Sequence, residues 1–141
     1  MSAVFVDTSA LYAVLDRDDR NHPLAARGWN RLLDGIADDT VEGCTHSSVL
    51  VETTALVQHR LGMPAVRALH DLLVPVLEVV WVDPQLHRRA VAALLAADRR
   101  DVSLVDWTSF EVMRERGIDT AFAFDDDFAA RGFADWADWG D

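Results

Sequence analysis

A chain of 141 residues, half of them hydrophobic, is long enough to bury roughly 68% of its unfolded surface around one core, and no apolar run nears the ~20 residues that span a bilayer. All 13 cations are arginine against 24 carboxylates, a net charge of −11; without lysine there is no P-loop and no Schiff base, and so acidic a surface argues against broad duplex binding, which needs many cation–phosphate contacts. The single cysteine, Cys44, excludes an internal disulfide and a cysteine zinc cage.

In an apolar stretch, Cys44 reads as a small core residue. Met1 to Phe5 lacks the basic region and long apolar core of a signal peptide. A soluble cytoplasmic protein with a single domain over residues 1–141 is the expectation. Any nucleic acid it handles must be held by local arginines and by metal ions.

Ala3 to Val6 predicts a buried strand, and Asp7 stands where the strand ends and a short helix through Leu11 and Leu15 begins. Asp is a good N-cap, so Asp7 has a structural reading beside a catalytic one. Pro23 suits the start of a second helix running to about Asp34, with Trp29, Leu32 and Leu33 on its apolar side. Val41 to His46 predicts a second strand. Ser47 or Ser48 is the expected cap of a third helix through Leu50, Val51, Leu56, Val57 and Leu61, closed by Gly62. Glu52 lies in its first turns among Val49, Leu50, Val51 and Ala55, a setting poorly suited to a solvated acid.

Pro64 to Leu73 predicts a further helix. Leu77 to Val82 predicts a buried strand with Trp81 in the core, and Asp83–Pro84 the cap and first turn of the next helix. Arg88, Arg89, Arg99 and Arg100 read as solvated surface. Ser103 and Asp106 have the spacing of a capping box, Gly117 ends that helix, and Thr120 to Phe124 predicts a strand with Asp125, Asp126 and Asp127 at its exit. A short helix over Phe128–Arg131 follows. The tail, with Trp136 and Trp139 between acids, is expected to be peripheral. Alternating strands and helices predict an α/β fold with a parallel sheet covered on both faces. In such folds sites form at the carboxyl ends of the strands.

Asp7, Glu52, Asp106 and Asp125 each have an ordinary explanation, yet together they place acids at strand exits and early helix turns that share one end of a parallel sheet. Carboxylates gathered without cations repel one another and take up protons. A divalent ion relieves that, and hard oxygen donors favour Mg²⁺ or Mn²⁺, which can activate water and stabilise a leaving phosphodiester oxygen. No histidine pair of the HExxH kind and no GxSxG elbow offers another chemistry.

The segments VDTSAL (Val6 to Leu11), LVETTALVQHRLG (Leu50 to Gly62), SLVDWTSFEVM (Ser103 to Met113) and FDDDFAARGF (Phe124 to Phe133) resemble, in order and spacing, the PIN-domain ribonucleases, and among them the VapC toxins of toxin–antitoxin pairs. The resemblance implies a three-layer PIN-like fold and a metal-dependent endoribonuclease with acidic ligands at Asp7, Glu52, Asp106 and Asp125. Asp127 matches a position that is often Asp or His, and Ser9 and Ser109 match small hydroxyl positions beside the site. It further implies a VapB-like antitoxin, a homodimer and RNA as substrate. The rival reading is a noncatalytic PIN-like module that only binds RNA or a partner.

Overall fold

The computed structural model describes residues 1–138. Strands β1 (Ser2–Val6), β2 (Val41–His46), β3 (Glu78–Val80), β4 (Thr120–Phe122) and β5 (Ala134–Asp135) form one sheet. Every pairing is parallel, in the order β3-β2-β1-β4-β5. The chain grows from β1 first to one side and then to the other. Its switch point is therefore the crevice at the carboxyl ends of β1 and β4, where sheets of this kind carry their sites.

Helices α1 (Thr8–Leu15), α2 (His22–Ala37), α3 (Ser47–Leu61), α4 (Met63–Ala68), α5 (Pro84–Ala97), α6 (Leu104–Arg116) and α7 (Asp127–Ala130) connect the strands. The pleat sends alternate side chains to opposite faces. Phe122, beside Val6 in the ladder, meets Gly28 of α2. Phe5, beside Ala121, stacks on Phe128, which packs edge-on against Phe110 of α6. Two helical layers thus sandwich a sheet whose central residues Val4, Phe5 and Val6 are fully buried. The expected α/β fold is the one observed. No described helix is long and apolar enough to cross a membrane.

Local chemistry sets the helix starts. Asp7, Asp83 and Ser103 cap α1, α5 and α6 by accepting backbone N–H groups, and Ser103 with Asp106 closes a full capping box. The expected serine cap of α3 is corrected: His46 is the cap, its ring accepting from Val49 N–H. The Ser47 hydroxyl instead accepts from Val82 N–H, pinning the exit of β3 to α3. The expected helix to Leu73 ends at Ala68 and continues as a wider π turn over Leu69–Leu73.

Three further expectations differ. The strand expected over Leu77–Val82 pairs only at Glu78–Val80, and Trp81, expected in the core, is 74% exposed beyond it. The strand at Thr120 stops at Phe122, because the Phe124 N–H turns away to a serine hydroxyl rather than to a ladder carbonyl. The tail is not peripheral as far as Trp136, which is only 2% exposed and donates its indole N–H to the Gly28 carbonyl. Arg31 lies over the same ring. Gly28 allows this layering, since a Cβ there would sit 2.9 Å from Phe122 Cζ. Trp139 lies outside the described residues.

Trp136→Ala is expected to cost about 3–5 kcal/mol, as truncating a buried large aromatic does, measured as the loss in unfolding free energy in a denaturant titration. A loss under about 1 kcal/mol would return the tail to the periphery.

Candidate active site

Three segments deliver acids to the switch point. Asp7 follows β1, Asp106 lies in the first turn of α6, and Asp125 follows β4. One carboxylate oxygen of each lies within 4.8 Å of the others. The parallel sheet explains the meeting: β1 and β4 end at the same edge, and α6, which precedes β4, must begin there.

Asp7 is buried, and Ser9 holds it through two donors to Asp7 Oδ2, the backbone N–H at 3.1 Å and the hydroxyl at 2.8 Å. Ser9 Oγ in turn accepts from Phe124 N–H at 2.9 Å, tying Asp7 to the segment that carries Asp125. Asp106 Oδ2 accepts from Ser103 N–H at 3.1 Å, so the capping box also orients this acid. Asp125, the most open of the three, accepts from Asp127 N–H at 3.1 Å. The structural and functional readings of Asp7 and Asp106 are therefore compatible: one carboxylate caps a helix and faces the cluster.

The electrostatics follow from crowding. Burial, then the Asp125 charge, push the Asp7 carboxyl up to about 7, against the opposing pull of the Ser9 hydrogen bonds. Burial and the Asp106 charge raise Asp125 to about 6. Burial raises Asp106 as well, against the opposing pull of the Ser103 hydrogen bonds. No described arginine forms an ion pair with any of the three. An all-oxygen donor set short of positive charge is the chemistry that a hard divalent cation completes.

The other expected site residues are placed differently. Glu52 is exposed, contrary to the expectation from its apolar neighbours, and is not among the three converging acids. The apolar residues beside it do not shield it, because Val51 itself is 71% exposed. Glu52 instead borders a cavity of about 360 Å³ with Ser47, Ser48, Val51, Trp81 and Val105, the residue before Asp106. Asp127 opens α7 outside the cluster, and its charge raises the proton affinity of both Asp106 and Asp125. Ser109 has no described hydrogen bond to a carboxylate. It bonds His46 Nε2 at 2.9 Å and donates to the Val105 carbonyl at 3.0 Å.

His46 is a site residue that the sequence pattern does not single out. It is fully buried, and burial pushes its pKa down to about 4, so the ring is neutral. With Nδ1 accepting from Val49 N–H, Nε2 carries the proton and donates to Ser109. The relay His46–Ser109–Val105 joins the end of β2 to the turn of α6 that presents Asp106. A histidine ending a predicted strand next to a helix start is the one available signal. Thr53 Oγ1 donates to Thr8 Oγ1 at 3.0 Å, linking α3 beside Glu52 to α1 beside Asp7.

The PIN domain family profile matches residues 4–134. Two curated relatives, from two strains of Mycobacterium tuberculosis and both named 23S rRNA-specific endonuclease VapC20, are 39% identical over 133 residues, covering 94% of this chain and 96% of theirs. The crystal structure of Mycobacterium tuberculosis VapC20, described as a sarcin-ricin loop cleaving toxin, superposes with a TM-score of 0.80 at 36% identity. That match covers 93% of this chain and 96% of the other.

The raised acids make a stability prediction with a defined sign. A carboxyl titrates near ~4 in the unfolded chain, so folded Asp7 binds its proton more tightly, and its contribution is lost as pH climbs from about 4 to about 7. His46 acts oppositely, costing stability as pH falls below its unfolded value of about 6.5. The comparison of Asp7→Asn with wild type cancels the histidine, and Asn retains the cap. In chelator, Asp7→Asn is expected to melt higher than wild type by several degrees, roughly 2–5 °C for each kcal/mol. The gap should open above pH ~4 and level off near pH 7. A gap independent of pH would remove the account of burial and repulsion.

Proposed function

The chain belongs to the PIN-domain family, and from that premise we propose that it is a divalent-metal-dependent endoribonuclease, the toxin of a toxin–antitoxin pair. The observation that carries this reading is the convergence of Asp7, Asp106 and Asp125 within 4.8 Å at the sheet's switch point. Glu52 is the fourth acid of the proposal, reaching in from the rim on α3. Asp127 is an outer ligand or a modulator of the other acids' charge. Mg²⁺ is the proposed ion, with Mn²⁺ as its substitute.

Asp7, Asp106 and Asp125 would hold a divalent ion, which would supply an activated water and charge neutralisation at the leaving phosphodiester oxygen. The protein's own part is to hold the acids in place. Ser9 fixes Asp7 while bridging to Phe124, the capping box fixes Asp106, and the Asp127 N–H fixes one oxygen of Asp125. Asp7 and Asp125 would have to give up their protons to hold a cation, so affinity for it would fall as the solution is acidified.

The two relatives are named for 23S rRNA, and similarity along nearly the whole chain supports the same RNA, at its sarcin–ricin loop, as the substrate here. Action in the cytoplasm is part of the same proposal. A VapB-like antitoxin and a homodimer complete the proposal. Val51 and Trp81 border an apolar groove of about 560 Å³ with Leu50, Val74 and Val79, a surface of the kind that protein partners cover.

Purified protein free of antitoxin is expected to cut 23S rRNA with Mg²⁺ or Mn²⁺ and to stop in chelator. Asp125→Asn and Asp7→Asn should lose at least about a hundredfold in rate, and Ser9→Ala about 10–100-fold through misorientation of Asp7. Glu52→Gln decides the fourth ligand: a loss comparable to Asp125→Asn puts Glu52 on the metal, and an unchanged rate removes it. Cleavage that survives chelator or Asp125→Asn would sink the reading.

A further inference from the structure

RNA is a polyanion, and this chain must bring it to a cluster of acids with arginine alone. Four of the thirteen arginines form described ion pairs within the protein. Arg89 pairs with Glu111 and Glu115, Arg114 with Glu111, and Arg116 with Glu78. Arg99 engages Asp101 through two hydrogen bonds of 3.0 and 2.7 Å.

Arg131 differs in both position and partners. It ends α7, the short helix that Asp127 opens, and its guanidinium carbon lies 4.4 Å from the ring centroid of Trp107, the residue that follows Asp106. It also lies 5.4 Å from the centroid of Phe110. One side chain thus spans the two segments that present Asp106 and Asp125. It forms no ion pair with a described carboxylate. Asp101, whose carboxyl feels the Arg131 charge at range, is already held by Arg99. The Arg131 Nε is enclosed without an acceptor, so the terminal nitrogens are the donors left for a ligand.

We propose that Arg131, stacked on Trp107, the residue after Asp106, and without a described carboxylate partner, is a positioning residue that binds a phosphodiester oxygen of the RNA strand on the α6–α7 side of the site. The proposal rests on the ribonuclease reading above and adds to it the residue that registers the strand. A planar guanidinium suits this role, because it stacks flat on an indole while its edge presents paired N–H donors to a phosphate. Stacking also limits the rotamer freedom that a long cation would otherwise lose on binding. In a protein this acidic, one cation fixed in place contributes more to register than several mobile ones scattered over the surface.

The test is binding of a fluorescein-labelled fragment of 23S rRNA containing its sarcin–ricin loop, with Ca²⁺ in place of the catalytic ion, followed across a salt series, together with single-turnover cleavage in Mg²⁺. Arg131→Gln is expected to weaken binding about tenfold, to raise KM more than it lowers kcat, and to reduce the salt slope by roughly 0.7–1. Arg116→Gln removes the same charge at the opposite end of α6 and should leave both affinity and slope at wild-type values. Should Arg131→Gln fold poorly by thermal melt, Arg131→Lys carries the test. It keeps the charge and the wild-type slope but loses the paired donors, giving an intermediate affinity. Wild type that binds while either Arg131 variant binds as tightly with the same slope overturns this inference alone. Wild type that neither binds nor cuts the RNA overturns the ribonuclease reading and this inference with it.

Discussion

Mutual repulsion among carboxylates at the carboxyl edge of the sheet is the constraint around which the molecule is arranged. Asp7 is 3% exposed and has Asp125 and Asp106 as electrostatic neighbours. Left to themselves, buried like charges move apart or take up protons. Here they cannot move apart, because β1 and β4 are hydrogen-bonded neighbours and the Asp7 N–H continues that ladder to the Phe122 carbonyl. The remaining response is protonation: burial first, and then the neighbouring carboxylate charge, make both strand-exit acids hold protons well above the usual carboxylate range.

Second-layer hydrogen bonds give the constraint its geometry. Ser9 is the hinge point: its hydroxyl donates to Asp7 and accepts from the Phe124 N–H, so the two strand exits share one oxygen. Phe124 turning to Ser9 also ends β4 earlier than its apolar sequence suggests. On the other flank, neutral His46 links the end of β2 to α6 through Ser109. A protonated His46 would gain a charge in a site with no counterion and lose its role as acceptor for Val49 N–H. The same ring thus caps α3 and helps to set α6.

Much of this is legible in the sequence because it is written in local rules. Strand, acid, helix is a local pattern, so spacing alone places Asp7 and Asp106 at helix starts, and the parallel sheet then forces their convergence. Trp81, Trp136 and Glu52 depart from expectation for a common reason. The hydropathy of sequence neighbours does not decide burial, which depends on the face that an element turns to the core. Val51 and Glu52 share a stretch of α3 whose apolar side, Val49, Leu50 and Val57, points elsewhere. Trp136 is buried by Gly28 and Arg31, more than a hundred residues away. His46 is hidden from the sequence because its partner Ser109 lies 63 residues further along the chain. No local window contains that pair.

The division between three converging acids and a fourth at the rim has a physical logic. Asp7, Asp106 and Asp125 are short side chains, each with an oxygen held by a backbone donor, so little rotamer entropy remains to be lost when a cation binds. Glu52 is longer, exposed and without a described hydrogen bond of its own, while the helix beneath it is anchored firmly by His46 and by the Thr53–Thr8 bond. A rigid base with one long acid at its rim leaves Glu52 in solvent beside Trp81 and Val105, with the reach of a long side chain in the proposed role of fourth ligand. In the proposed reading, holding a cation and admitting a strand then draw on different atoms, since the three fixed acids would define the position of the charge while the longer acid stands at the rim.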